Sequence, residues 1–412
     1  MADFGGGELE TFREQVRAWL EANYPAALRD PNAKVDPEAT WGGRQFDGDT
    51  TDPQIAWMRK VASQGWTAPT WPKAYGGGGL SKDEARIVEQ EISRGGYRAP
   101  LASFGLWMLG PVLLEYATEA QKQEHLPKIV RGEIRWCQGY SEPGAGSDLA
   151  SLATKCEDKG DHWLINGSKI WTSYANRADW CFCLVRTDTA KKHEGVSFIL
   201  IDMSSPGIET RPIKLISGDS PFCETFFTDV KVPKDNLVGP LNGGWSIAKR
   251  LLQHERGGLA GGGGRGARAL FGAPPSELAK TYVGTDEAGR IADGELRARL
   301  AAYDIDARAF ALTAARSMAE SRSNQGPSAT TSIMKNAGSA IGQLRSELVI
   351  EILGSHGLGW EGEDFSPDEL AAVRNWLTGK ATTIYGGSYE IQNNIITKRI
   401  LGLPDPLSNA SH

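Results

Sequence analysis

Gly139-Tyr140-Ser141-Glu142-Pro143-Gly144-Ala145-Gly146-Ser147-Asp148 is the stretch on which the reading of this 412-residue chain turns. It packs three glycines, a proline and two serine hydroxyls into ten residues, between apolar, strand-like flanks. Such a loop lets backbone N–H groups and hydroxyls close on a ligand that carries phosphate or a flat polar ring.

Working outward, the upstream sequence is helical. Leu9, Phe12, Val16, Trp19 and Leu20 recur at helical spacing over residues 8–24. Residues 50–65 and 82–96 read as helices, joined by the Trp/Pro/Gly-rich connection Gly65–Gly79. Residues 105–131 read as two more, broken near Thr118. At about Ile134 the pattern changes to short β-type runs. His162–Thr172 carries Asn166-Gly167 between apolar-rich flanks, which predicts a hairpin. Trp180–Val185, Val196–Met203 and Glu224–Val232 follow as strands. From Gly244 the helical period returns, over 244–260, 295–324, 328–354, 367–382 and 388–400, with Gly261–Val283 as an interruption. The expected fold is mostly α with a central β domain, divided at residues 1–133, 134–240 and 241–412.

Composition narrows the function. Apolar residues make up 40% and charged residues 23%, the balance of a soluble globular protein. A net charge of −6 argues against a nucleic-acid surface, which needs clustered Lys and Arg. The five cysteines (Cys137, Cys156, Cys181, Cys183, Cys223) are odd in number and sit mostly in apolar strand contexts. They read as reduced core residues of a cytoplasmic protein. Cys181 and Cys183 would share a strand face, but no second pair at ligand spacing completes a metal site. No stretch approaches the ~20 apolar residues of a membrane span, and the N-terminus has no signal-peptide pattern.

Paired with Ile170-Trp171-Thr172-Ser173, the opening loop resembles the flavin-binding signature of the acyl-CoA dehydrogenases. Taken singly, Trp171 reads equally as a core aromatic and the loop as a turn; together they fit one family at the expected separation. The resemblance extends to Gly65–Gly79, to Glu351-Ile352-Leu353-Gly354-Ser355-His356-Gly357 and to Ile384-Tyr385-Gly386-Gly387-Ser388-Tyr389-Glu390-Ile391-Gln392. It implies an N-terminal helical domain, a middle β-barrel and a C-terminal four-helix bundle. It implies FAD held by Gln138, Tyr140, Ser141, Gly146, Ser147, Trp171 and Ser173. Glu351, Gly354, Ser355, Ser388 and Glu390 are further FAD candidates, and Ser147 also touches acyl-CoA. Partners implied are an acyl-CoA, an electron-transfer flavoprotein, and copies or a second chain type in a homotetramer or an α2β2 heterotetramer. The sequence departs from the pattern in two places at the adenine end. Leu270-Phe271-Gly272 lacks the arginine three residues before the phenylalanine, although Arg268 is near, and Glu351 stands where the family often has Gln.

The reaction implied is α,β-dehydrogenation of an acyl-CoA thioester. It needs a base for the α-proton and donors for the developing enolate oxygen. Many members place a glutamate directly after the Ile-Tyr of the closing loop, where this chain has Gly386. Glycine cannot take a proton, but its N–H survives as an oxyanion donor. Another branch places the glutamate directly before an arginine on the first helix of the last domain, and Glu255-Arg256 falls on that position. Glu255 is therefore the expected base, with Arg256 neutralising charge or orienting substrate. The alternatives are a solvated Glu-Arg pair on a helix face, Glu390 as the base, or a chain with no base. That last case describes a silent subunit of a heteromeric enzyme. A flavin monooxygenase or oxidase on the same fold is a further rival. Six of the eight residues from Gly257 to Gly264 are glycine. They read either as a flexible loop or as a helix widened for a bulky acyl group. The Gly65–Gly79 connection and the Tyr-Gly-Gly-Ser closing loop look more like bacterial steroid or branched acyl-CoA enzymes than the fatty-acyl ones.

Overall fold

Helices in the first 130 residues begin where the local chemistry lets them. Asp52 accepts from Gln54 N and Pro53 follows it, so the chain is primed to enter a helix. Ser81 with Glu84, and Thr118 with Gln121, form reciprocal capping boxes. The break expected near Thr118 is therefore a helix cap. The computed structural model describes residues 6–30, 40, 43, 52–260, 274–323 and 331–404, the backbone alone for 6, 253–260, 318, 321–323, 331 and 332. The first helices are α1 (Gly6–Asn23), α2 (Pro53–Ser63), α3 (Lys82–Arg94), α4 (Gly110–Tyr116) and α5 (Glu119–Val130). Val16, Leu20, Trp57, Val61 and Val88 close a core between α1, α2 and α3. In the Gly65–Gly79 connection, a β-carbon on Gly77 would lie 2.3 Å from the Trp71 carbonyl oxygen, so the chain can pass there only as glycine.

Eight strands follow: β1 (Trp136–Gly139), β2 (Lys155–Asp158), β3 (His162–Ser173), β4 (Trp180–Arg186), β5 (Val196–Asp202), β6 (Ile208–Ile213), β7 (Phe222–Pro233) and β8 (Leu237–Val238). Their order is β6-β7-β3-β2-β4-β5-β8, with β1 parallel to β4. β4 is covered on both faces. Cys181, Cys183 and Val185 enter one core with Cys137 and Ile199; Phe182 and Leu184 enter the other with Trp136 and Phe198. All five cysteines are buried free thiols, and burial pushes Cys156 up to about 12, which leaves it unreactive at neutral pH.

The hairpin expected at Asn166-Gly167 does not form. β3 runs straight through it. The reversal comes earlier, at Gly160 (φ 90°), between β2 and antiparallel β3. Asn166 instead exchanges two hydrogen bonds with Asp229 of β7. A β-carbon on Gly167 would lie 2.7 Å from Thr154, and the register shifts there. The pair serves a β-bulge rather than a turn.

One buried group gives this region an acid sensitivity. His125 on α5 packs edge-on to Trp136 at 5.3 Å and Trp180 at 5.1 Å. Its Nδ1 has no hydrogen-bond partner among the described residues. Burial lowers its pKa to about 4, against 6.5 in the unfolded chain. Between those values the unfolded chain takes up a proton that the native protein refuses, so stability falls as the pH falls. The loss at pH 5 is about 2 kcal/mol. His125→Phe keeps a ring and cannot titrate, so its urea-unfolding free energy should fall less between pH 7 and pH 5, by that amount. Parallel slopes for the two proteins would refute the assignment.

The chain divides into two compact units: Met1–Ile213 with Pro221–Arg256, and Lys214–Ser220 with Gly257–His412. Helix α6 (Gly244–Ala260) crosses that division, followed in the second unit by α7 (Pro275–Tyr282), α8 (Gly294–Ser323), α9 (Thr331–Leu353), α10 (Pro367–Gly379) and α11 (Tyr389–Ile395). Leu296, Leu300 and Tyr303 of α8 pack against Leu348 and Ile352 of α9. α7 lies within the interval expected as an interruption. Pro275 opens it at a position where no N–H is needed. Residues 261–273 of that interval lie outside the described residues. Gly257 and Gly258 continue α6 as helix, and Gly261–Gly264 again lie outside the description.

Candidate functional site

In the first unit, the end of β1 and the end of β3 bring the two signature segments together. Ile170 N donates to Ser141 O at 2.9 Å, binding the Gly-rich loop to the strand that carries Trp171. Beneath this contact lies Lys169, with no exposed surface. Its Nζ donates to Tyr140 O at 3.1 Å and to Glu142 Oε1 at 2.8 Å. Glu142 also accepts from Ala153 N at 2.6 Å and Thr154 N at 2.9 Å. Burial pushes the Glu142 carboxyl up, but the charge of Lys169 and the hydrogen bonds together hold it below the usual carboxylate range. The two signature segments thus stand on a buried ion pair that sequence reading missed. A lysine in a strand reads as solvent-facing, and no spacing rule links it to a glutamate 27 residues away.

Trp171 is held in the left-handed region at φ 59°, and Tyr174 at φ 54°. Each non-glycine residue there costs about 1–3 kcal/mol. The register shift between Lys169 and Thr172 accompanies this turn of the backbone. The result is an indole ring 52% exposed, its edge against Phe222 at 6.1 Å. In the loop that Ser141 ties to this strand, β-carbons on Gly144 and Gly146 would meet nothing within 4 Å. Protein packing does not require glycine at either position. Ser141 and Ser173 are half-buried and Ser147 is exposed; Gln138 is half-buried beside Phe182. Asp148 at the loop's end is held by Ser151 Oγ and by Lys192 Nζ at 2.8 Å. A fixed, half-open aromatic face beside an open Gly/Ser loop fits a flat ring with a polar edge, as isoalloxazine is. The Tyr140 ring is buried against Phe182, and its backbone carbonyl accepts from Lys169.

The second unit carries the remaining candidates in two separate places. Glu351, Gly354 and Ser355 sit at the C-terminal end of α9 and just beyond it. Gly386 lies beside Lys335, sixteen residues earlier on that helix, with Lys335 Cε 3.4 Å from where a β-carbon would be. At the α-helical rise the two places are about 24 Å apart. One isoalloxazine cannot meet both groups of a single unit. Glu351 is engaged by Arg299 through two hydrogen bonds of 2.6 and 2.7 Å. Ser388 caps α11. Glu390 is exposed, and a hydrogen bond with Ser388 holds its carboxyl below the usual range, the opposite of what a general base needs. Glu255 and Arg256 fall on α6, but their side chains lie outside the described residues, as do Arg268 and Leu270-Phe271-Gly272. Among the described residues no His/Cys/Asp/Glu cluster could hold a metal ion, and no helix is long and apolar enough to cross a membrane.

Comparison with known proteins identifies the family. Family models for the acyl-CoA dehydrogenase N-terminal, middle and C-terminal domains match residues 7–133, 137–230 and 242–401. Acyl-CoA dehydrogenase IpdE1 of Mycobacterium tuberculosis is 36% identical, over 96% of this chain and 98% of that one. Human mitochondrial short-chain specific acyl-CoA dehydrogenase is 30% identical over 84% of this chain and 82% of that one. Among solved structures, the Tcur3481-Tcur3483 steroid ACAD superposes with a TM-score of 0.74 at 30% identity, covering 98% of this chain and all of that one. The ChsE4-ChsE5 complex from Mycobacterium tuberculosis gives 0.73 at 28% identity, over 98% and 100% of the two chains. With all three domain models matched in order along the chain, this protein belongs to the acyl-CoA dehydrogenase family of oxidoreductases, which act on the CH–CH bond of acyl-CoA thioesters.

Proposed function

We propose that this chain carries out FAD-dependent α,β-dehydrogenation of a bulky or branched acyl-CoA, giving the trans-2-enoyl-CoA and passing electrons to an electron-transfer flavoprotein. The observation that carries the reading is Trp171, held half-exposed in a strained backbone beside the open Gly144–Ser147 loop. Gln138, Ser141, Gly146, Ser147, Trp171 and Ser173 would hold the flavin end of FAD. Glu351, Gly354, Ser355, Ser388 and Glu390 are the second unit's candidates for its remainder, in two places. When bound, FAD would supply the acceptor for the β-hydrogen as hydride. Glu255 would take the α-proton as the C–H bond breaks and the C=C bond forms. The Gly386 N–H would donate a hydrogen bond to the thioester carbonyl oxygen as negative charge develops there, and Arg256 would orient the acyl-CoA beside Ser147. The likeness to a steroid ACAD and the glycines after Arg256 support a ring-bearing or branched acyl group over a straight chain.

Gly386 favours a second reading, a silent subunit of a heteromeric enzyme, and a two-protein complex among the structural relatives supports it. One experiment separates the readings. The purified protein is titrated anaerobically with octanoyl-, palmitoyl-, branched and steroid acyl-CoAs while flavin absorbance is followed. Bleaching by the bulky thioesters supports the proposal, and a preference for the straight chains overturns its substrate class. Absence of both flavin and bleaching supports the silent subunit. Rapid reoxidation in air indicates an oxidase instead.

A further inference from the structure

The closing loop of the second unit is stapled to one face of α9 by a ladder of polar side chains. Lys335, Ser339, Gln343 and Glu347 recur every four residues and so share that face. Lys335 Nζ donates to Thr382 O and to Ser339 Oγ. Gln343 Nε2 donates to Gly379 O at 3.1 Å and Lys380 O at 3.2 Å, and Glu347 pairs with Lys380 at 2.6 Å. The ladder therefore grips residues 379–382, directly ahead of Ile384-Tyr385-Gly386. Behind the loop, Tyr389 OH donates to Asn336 O at 3.0 Å, and Asn336 Nδ2 donates to Asn393 at 2.9 Å. Inside it, the buried Gln392 donates to Gly386 O at 3.1 Å.

The loop held in this way is otherwise exposed: Ile384 is 70% and Tyr385 53% accessible. Gly386 and Gly387 turn it through φ 65° and 94°. The Gly386 N–H finds no acceptor among the described residues. Lys335 is the rung that meets the loop itself, with its Nζ 5.4 Å from the centre of the Tyr385 ring and its Cε beside Gly386. Its ammonium is a positive charge near an open N–H, where a developing oxyanion would be stabilised.

We propose that Lys335 is a positioning residue for the dehydrogenation: its clamp on Thr382 and the Tyr385 ring fixes the Gly386 N–H toward the thioester oxygen. This rests on the reading of Gly386 as the oxyanion donor. A pinned peptide in a reactive site lowers the barrier by sparing reorganisation, so its release acts on turnover more than on binding.

The test combines two readouts on Lys335→Met, Lys335→Arg and Ser339→Ala. Amide hydrogen exchange over residues 382–388 needs no substrate. It should speed up roughly tenfold in Lys335→Met, with the body of α9 and the first unit unaltered, and shift less but in the same direction in Ser339→Ala. Steady-state assays use the acyl-CoA that the wild type oxidises fastest. Lys335→Met should lose roughly 10–100-fold in kcat with KM within about twofold, and Lys335→Arg should recover most of it. Unchanged exchange in both Lys335→Met and Ser339→Ala overturns the clamp. Faster exchange with unchanged kcat, or no recovery in Lys335→Arg, overturns the positioning role. If the wild type oxidises no acyl-CoA, the dehydrogenase reading fails, and the exchange data alone decide whether Lys335 holds the loop.

Discussion

Lys169→Met is expected to destabilise the protein by about 3–5 kcal/mol at pH 7, the cost of leaving one member of a buried ion pair without its partner. Lys169 has no exposed surface and serves both the Tyr140 carbonyl and the Glu142 carboxylate. Methionine matches its length and supplies neither donor nor charge. Glu142 would keep its hydrogen bonds from Ala153 and Thr154 but lose the cation that offsets its burial. Its carboxyl pKa, held low in the wild type, would then rise.

The sign of the pH dependence follows. In the wild type, a depressed Glu142 pKa contributes stability that is present above the unfolded carboxylate value and is lost as the pH falls through the folded one. In Lys169→Met the folded value is raised, so the penalty is full at neutral pH and shrinks as the carboxyl takes up a proton. The two urea-unfolding curves should therefore converge below about pH 5. Adding Glu142→Gln should recover part of the loss, because a neutral amide is cheaper to bury unpaired than a carboxylate. The same variant should shed its flavin more readily, since the pair supports both Ser141 and the strand leading to Trp171. A loss under about 1 kcal/mol that does not vary with pH would show that the pair is not structural.

Several elements were legible because their signals are local. The density of glycine, proline and serine in residues 139–148 marks a loop between strands before any contact is known. The break at Thr118 was visible because a cap followed three residues later by glutamine is a local pattern. Asn166-Gly167 misled for the complementary reason. Its turn chemistry is real, but β7 brings Asp229 to it and the chain entering β2 brings Thr154, and the sequence beside Asn166 holds neither. Lys169 and Glu142 were missed because a buried charge has meaning only with its partner. The ladder of Lys335, Ser339, Gln343 and Glu347 had a visible four-residue period, but a polar stripe on a helix ordinarily faces water. Only the backbone carbonyls of 379–382 turn it into a clamp.

The site candidates of the second unit teach a related lesson. Glu351 to Ser355 and Gly386 to Glu390 both carry the resemblance to the family, and sequence alone gives no reason to separate them. A single straight helix does, with about 24 Å between the two groups. A long dinucleotide, or more than one copy of the cofactor in an oligomer, can use both; one ring cannot.

Glu255→Gln is expected to lower kcat by roughly two to four orders of magnitude, about 3–5 kcal/mol on the barrier, with flavin content and unfolding unchanged. Glutamine keeps the size and hydrogen bonding of the side chain and loses only the ability to take the α-proton. The readout is the rate of anaerobic flavin bleaching by the best acyl-CoA in a single turnover, which separates proton removal from later electron transfer. Wild-type-like bleaching would end the assignment of Glu255 as base. Moving the carboxylate to the loop should not rescue the variant. Gly386 sits at φ 65°, where a side chain costs about 1–2 kcal/mol. A glutamate placed there would start 3.4 Å from Lys335 Cε, and the ammonium would hold its carboxyl ionised and weakly basic. Glu255→Gln/Gly386→Glu is therefore expected to stay as slow as Glu255→Gln. Lys335→Met added to that pair is the combination in which a loop carboxylate could regain basicity, and any recovered bleaching should appear there first. Recovery in the double variant, with Lys335 intact, would mean that the loop tolerates a base as it stands and that Lys335 does not govern the charge beside Gly386.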